Sequence, residues 1–293
     1  LIVRVGDKQV SSQLSTHLER LAAALEGDIA RHHKLIVETI LDCAQSLHTK
    51  SSVYGTLVGL LNLVDDEIAR DIVDGANREL RRALDDHAPM GIRGLTRFLV
   101  ELMNAHVVAP SAALELLELF VATTTQDGPT ARADWFCVLA MDALVLCGKT
   151  LAEEKPAELE SLVSTLRAHA ARRVLLVESA PLLLPYGAST TTAELVEHFD
   201  ALYTVVTTMY DDGGWSSPYL LRPHRAFDEL SKGKTHSVPS FTIPAHTPGC
   251  TYPAYHRLRL GGGATSLDVT MADADQDGSG GDGGGGDGGG AVV

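Results

Sequence analysis

Several residue groups in this chain have types and spacings that could do chemistry. Two Gly-Lys-Thr triplets, Gly148-Lys149-Thr150 and Gly233-Lys234-Thr235, look like the end of a phosphate-cradling loop. Such a loop needs a glycine five positions before the Gly-Lys pair and must follow a strand. Ala143 and Asp228 hold those positions, and the first triplet follows a helical run, so Gly148 reads as a helix terminator. Asp273, Asp275, Asp277 and Gly278 reproduce the front half of a calcium loop. The closing glutamate is replaced by Gly284 and no helices flank it, which leaves a solvated acidic tail. His32 and His33 are expected on a helix surface, with no carboxylate or cysteine at ligand spacing. Cys43, Cys137, Cys147 and Cys250 lack CxxC or Cys/His metal spacing, and the first three sit in apolar helical contexts. That usage points to a reducing compartment.

Asp134 and Asp142 bracket the most apolar stretch of the chain. Asp134 reads as a cap or ion-pair partner. Asp142, if buried, needs a donor, an Arg or Lys from an adjacent helix. Acid/base work would need a second titratable group in a cleft, and no nucleophile–base pair stands out. The expectation is therefore a non-enzyme with no catalytic residue, no cofactor and no metal. What remains is surface: a cluster of Arg78, Arg81 and Arg82, and a stripe of Arg93, Arg97, Glu101 and Asn104. These read either as solvated faces with pairing inside each helix, or as a face that binds a partner or touches RNA.

The elements that would position these groups are helices. Ser51–Val64 organises the rest: Val53, Tyr54, Leu57, Val58, Leu60, Leu61 and Val64 recur at helical spacing, with Gly55, Gly59 and Asn62 on a second stripe. Each interior glycine costs roughly 1 kcal/mol against alanine. A sequence keeps such glycines where a neighbour must approach the backbone closely, and Asn62 would hydrogen-bond across that contact. An ordinary core helix with incidental glycines is the plainer alternative.

In chain order, a first helix over about 11–25 ends at Gly27, and a second runs from Asp28 to about Leu47. The glycine-bearing helix is third, and a fourth starts at Asp65/Asp66 with Ile68, Ile72, Ala76, Leu80 and Leu84 inward. A fifth follows Pro89 and Gly91 with Leu95, Phe98, Leu99, Leu102 and Met103, and Pro110 opens a sixth. A seventh, Ala131–Cys147 with Trp135 near its start, is apolar nearly all round. Thr150 with Glu153 predicts a capping box and Pro156 restarts an eighth helix to Arg172/Arg173. After the bridge APLLLPYG, Thr191 with Glu194 predicts the cap of a ninth helix carrying Leu195, Phe199, Leu202, Val206 and Tyr210. No strand ladder is expected. Alternate helices starting near 28, 65, 110, 150 and 192 give a period of roughly 40 residues, that of HEAT-like pairs. The fold class is all-α, an α-α superhelix of armadillo type.

From 215 prolines recur among Trp215, Tyr219, Phe227, Phe241, Tyr252 and Tyr255, which predicts an extended strap over the helices. From Gly261, 13 of 33 residues are glycine, predicting a disordered tail. The expected domains are 1–214, 215–260 and 261–293. The tail holds six aspartates and no Lys or Arg, so of the net charge of −14 only −8 belongs to the first 260 residues. That acidic body argues against broad phosphate binding as the main task. No signal-peptide layout opens the sequence and no uninterrupted apolar run reaches the roughly 18–20 residues that span a bilayer, so no membrane partner is expected. The first residue is Leu, so more N-terminal sequence is expected before it.

An ordered series of motifs resembles the large subunit of the nuclear cap-binding complex. It comprises Tyr54-Gly-Thr-Leu-Val-Gly-Leu-Leu-Asn62, Arg97-Phe-Leu-Val-Glu-Leu-Met-Asn104, His106-Val-Val-Ala-Pro-Ser111, Asp134-Trp135 and Gly148-Lys149. Leu221-Arg-Pro-His-Arg-Ala-Phe-Asp228, Pro239-Ser-Phe-Thr-Ile-Pro-Ala-His246 and Tyr252-Pro253 extend it, so the likeness runs over about 1–258. The resemblance implies a middle-domain helical repeat, the fold shared with the large scaffold of translation initiation. It implies that a small RRM subunit grips the 7-methylguanosine cap while the large subunit holds that partner in its binding-competent form. Capped RNA would be contacted indirectly, and the complex would serve mRNA splicing, export and nonsense-mediated decay from the nucleus, shuttling to the cytoplasm. The family's second and third domains, on which the small subunit chiefly docks, lie outside the stretch of likeness. Two other readings stay open: a stand-alone adaptor of translation or mRNA decay binding a helicase or other protein, and an RNA-binding module proper.

Overall fold

The computed structural model describes residues 1–7, 11–173, 195–215, 220–253 and 256–258. Among the described residues eight helices carry the fold: α1 (Ser11–Ser46), α2 (Ser51–Val64), α3 (Asp66–Asp85), α4 (Pro89–Asn104), α5 (Pro110–Ala122), α6 (Thr130–Glu154), α7 (Pro156–Arg172) and α8 (His198–Asp211). Most pack on their next and next-but-one neighbours: α2 on α1, α3 and α4, then α4 on α6, α5 on α6 and α7, and α6 on α7 and α8, while α1 also reaches α4. That is the contact pattern of stacked helix pairs, in which no pair buries its apolar face alone. Proline opens α4, α5 and α7, where its missing N–H has no helical partner to lose. The Asp65 carboxylate caps α3 by accepting from the Glu67 and Ile68 amides.

Four boundaries depart from the sequence expectation. Gly27 ends nothing: the two expected helical segments meet instead at His32 (φ −127°, ψ 20°), the kink inside α1. Leu25 and Ile29 on either side of the glycine are both buried, and that burial outweighs the glycine's helix penalty. Gly148 and Thr150 lie inside α6, which runs on to Glu154, so the predicted terminator and capping box are both absent. The starts expected near 28 and 150 are therefore interior positions. Leu195–Glu197 is not helical but forms strand β1, paired antiparallel with β2 (His256–Leu258). This small ladder corrects the expectation of no strands, and α8 begins only at His198. The predicted cap at Thr191 and Glu194, the APLLLPYG bridge, Tyr219, Tyr255 and the 261–293 tail with its aspartate series lie outside the described residues.

The core is one contiguous aliphatic cluster running from Ile2 and Leu14 through α2–α6 to Leu202 and Val206. By length and composition α6 could cross a membrane, yet most of it is buried among its neighbours.

Residues 220–253 cross the helices and include two short 3-10 turns, Pro223–Ala226 and Asp228–Lys232. Trp215, Phe227, Leu230 and Ile243 are buried. His236 exchanges backbone hydrogen bonds with the α4–α5 connection, its amide donating to Val107 O (2.7 Å) while its carbonyl accepts from Ala109 (3.2 Å).

Candidate functional site

Three polar seams cross the apolar stack, and each joins elements far apart in sequence. The first links α4 to α6. Asp142 is buried on α6 and accepts from both guanidinium groups of α4: Arg97 at 2.6 and 2.6 Å, Arg93 at 3.0 and 3.2 Å. Burial alone would raise the Asp142 carboxyl; the Arg97 and Arg93 hydrogen bonds outweigh it and bring it down to about 2.

The second seam runs one turn further along the same helices. Asn104 donates to Glu101 Oε2 (3.0 Å) and to Leu146 O (3.2 Å), and its Oδ1 accepts from the Thr150 hydroxyl (3.0 Å). Glu101 is 4% exposed, and burial pushes its carboxyl up to about 7 despite Asn104, Arg222 and Arg97 nearby. The Trp215 ring lies on α6 at Gly148, where a Cβ would fall within the indole. The glycine misread as a terminator is thus the seat of the strap's tryptophan.

The third seam joins α6, α7, β1 and α8. Asp134 Oδ1 takes a hydrogen bond from His169 Nε2 (2.7 Å), and its Oδ2 takes two from Arg173 (3.0 and 3.2 Å). Arg173 also reaches Glu197 and Asp200 and lies 4.2 Å over the Phe199 ring.

The strap has its own row of partners. On α2, a Cβ at Gly55 would stand 2.9 Å from Glu101 O of α4, and one at Gly59 would stand 2.8 Å from Leu230 and 3.1 Å from Ala105. Asn62 donates to Lys234 O (2.9 Å) and accepts from His236 (3.0 Å). Asn77 and Arg81 of α3 donate to Pro239 O, Arg81 also to Ser240 O, with the Arg81 guanidinium 5.5 Å over Phe241. Tyr54, Leu57, Phe98 and Trp135 are buried in the core, and Leu60 packs at its margin.

The five arginines singled out by sequence do not form one face. Arg93 and Arg97 turn inward because Asp142 is buried between the helices, so the stripe they form with Glu101 and Asn104 is a seam, not an outer surface. Arg81 holds the strap. Arg78 is exposed, and Arg82 is exposed with Glu79 and Asp86 on its own helix within 3.7 and 3.6 Å. His33, with no carboxylate at ligand spacing in its own helix, hydrogen-bonds Asp71 of α3 at 2.8 Å. Cys43, Cys137 and Cys147 are buried free thiols, and burial raises the last two above the ordinary thiol range. Among the described residues no group of three or more His, Cys, Asp or Glu could hold a metal ion.

This geometry defines a helical-repeat module in which polar side chains lock helix to helix and strap to helix. The chain belongs to the MIF4G domain family, whose pattern matches residues 4–184. It is similar to nuclear cap-binding protein subunit 1 of Salmo salar, at 35% identity over 255 residues, covering 86% of this chain and 31% of that protein. The Gallus gallus and Homo sapiens proteins of the same name are 34% and 32% identical, each over 86% of this chain and 32% of their own length. The chain thus spans about a third of the length of these curated relatives.

Proposed function

We propose that this chain is a non-catalytic scaffold, the N-terminal module of a nuclear cap-binding complex large subunit. The observation that carries the reading is identity of 32–35% with nuclear cap-binding protein subunit 1 over 86% of the chain. In this role the chain supports 5′-cap binding through a small RRM subunit and contacts capped RNA only indirectly. It offers surface to splicing, export and nonsense-mediated decay factors, in the nucleus and while shuttling to the cytoplasm. Residues 1–214 act as the helical body, 215–260 as its strap and 261–293 as a polar tail. Tyr54, Gly55, Leu57, Gly59, Leu60, Asn62, Phe98, Asn104 and Trp135 serve packing, and the exposed Arg78 and Arg82 are the arginines left to meet a partner.

A cap-analogue resin loaded with the small subunit tests this. The chain is expected to stay on the resin only when that subunit is present. Passage through the loaded resin would leave two readings, a module that is held only together with the domains following it in its relatives, or a stand-alone adaptor of translation or mRNA decay. That second reading draws on the match to the MIF4G domain by itself.

A further inference from the structure

A cavity of about 220 Å³ opens where the first turn of α6 meets the C-terminal end of α7 and the Thr123–Thr125 turn. Its wall includes Thr124, Arg132, His169, Arg172 and Arg173, and among the residues lining it there is no Asp or Glu. Three arginines and a histidine around one hollow are unexpected in a chain of net charge −14.

Not all of these cations are compensated. Arg173 is, by Asp134, Glu197 and Asp200. Arg132 is 2% exposed, and its guanidinium donates to Gln126 Oε1 (2.9 Å) and Pro244 O (2.9 Å) and lies 5.5 Å over Phe136. None of those groups is a carboxylate. A buried guanidinium held only by neutral acceptors leaves a full charge in a poorly solvated place. Arg172 donates to Thr124 O (2.8 Å) from an exposed position at the rim, with other N–H groups to spare.

Two further lining atoms lack partners. His169 is 4% exposed, and because its Nε2 faces a carboxylate that can only accept, Nδ1 is the atom left over; it has no hydrogen bond. The buried Thr124 hydroxyl has none either. No side chain caps α6 at Pro129, so the positive end of that helix also faces this corner. A planar carboxylate would satisfy one guanidinium, whereas a tetrahedral oxyanion offers acceptors in several directions at once.

We propose that this cavity binds a phosphate monoester carried on a side chain of a phosphorylated partner peptide, with Arg132, Arg172 and the Thr124 hydroxyl as its donors and His169 Nδ1 accepting from the P–OH of the monoanion. A single phosphate is favoured over a nucleic-acid backbone because the acidic chain as a whole repels a polyanion. The site stands whether or not the chain joins a cap complex.

The test titrates the full chain with N-acetyl-O-phosphoserine amide and, separately, with inorganic phosphate, following the His169 ring by NMR at fixed ionic strength. Saturable binding is expected for both probes, with the His169 resonances moving and with chloride or acetate in their place having no effect. Arg172→Ala, at an exposed position that leaves the fold alone, should weaken both about tenfold, the loss expected for one charge-assisted contact. Thr124→Val should weaken both less, and Arg31→Ala at an exposed position of α1 not at all. Failure to saturate by about 10 mM, where two guanidiniums should hold a phosphate, overturns the proposal. So does equal binding by Arg172→Ala. Binding of inorganic phosphate without the phosphoserine probe would reduce the site to one for the free ion. Displacement of the phosphoserine probe by a 5′-hydroxyl oligouridine would instead assign the cavity to RNA and sink the peptide claim.

Discussion

A methyl group at Gly55 would press on the backbone of α4 at Glu101, and backbone cannot rotate out of the way. Gly55→Ala is therefore expected to cost about 1–3 kcal/mol in urea unfolding, the range for overpacking a tight contact. Gly27 supplies the contrast, since it lies mid-helix with nothing within 4 Å of an added Cβ. Gly27→Ala should stabilise by up to about 1 kcal/mol through helix propensity alone. Two glycines in helices thus have opposite predicted signs. The crowding at Gly55 was foreshadowed in the sequence because Gly55, Gly59 and Asn62 share a stripe beside a strong apolar face. Gly148 was not legible, because its neighbour Trp215 comes 67 residues later and local pattern carries no trace of that meeting.

Between elements, stability is tied to pH through two buried carboxyls with opposite signs. The Asp142 carboxyl lies at about 2 in the fold against an ordinary 3.8. Its stabilisation is present above the ordinary value and is lost as pH falls from about 4 towards 2, on the order of 2 kcal/mol in all. Asp142→Asn should abolish that acid-side loss in a urea titration, while removing the buried carboxylate that Arg97 and Arg93 share and lowering stability at pH 7 by about 3–5 kcal/mol. Glu101 works the other way, raised from 4.5 to about 7. Its contribution is complete below pH 4.5 and declines as pH climbs through 7, by on the order of 3 kcal/mol at most. Wild-type protein should accordingly melt lower at pH 8 than at pH 5, and Glu101→Gln should flatten that difference. A flat wild-type profile between those pH values would contradict the burial of Glu101. From sequence, the need of Asp142 for an Arg or Lys donor followed from its apolar helix. Which face of α4 would meet it depends on the stacking angle of two helices, and periodicity does not carry that.

On the scale of the molecule, the helices alone leave a furrow that the strap fills. Trp215 is the strap's first anchor at 3% exposure, and the Asn62, Asn77, Arg81 and Arg132 side chains hold the rest by donating to strap carbonyls. Trp215→Ala should loosen the whole segment: hydrogen exchange at the His236 amide should quicken by at least tenfold, while amides inside α2 stay protected. Unchanged exchange at His236 would mean the strap is held by independent contacts and not as a unit. The order of the helices and most of their inner faces were readable because burial on one face imposes a local period, whereas the starts near 28 and 150 that entered the repeat were not. The join between Leu195–Glu197 and His256–Leu258 was not, since three-residue strands bear no alternation long enough to notice.

The order in which these contacts become available matters during synthesis. Asn62 is made 172 residues before the Lys234 carbonyl that it will bond. At ribosomal speeds of 5–20 residues per second that interval is roughly 10–30 s. For that time the nascent chain shows an uncovered apolar trench beside Gly59, so folding helpers that shield such trenches should be most needed before the strap leaves the ribosome.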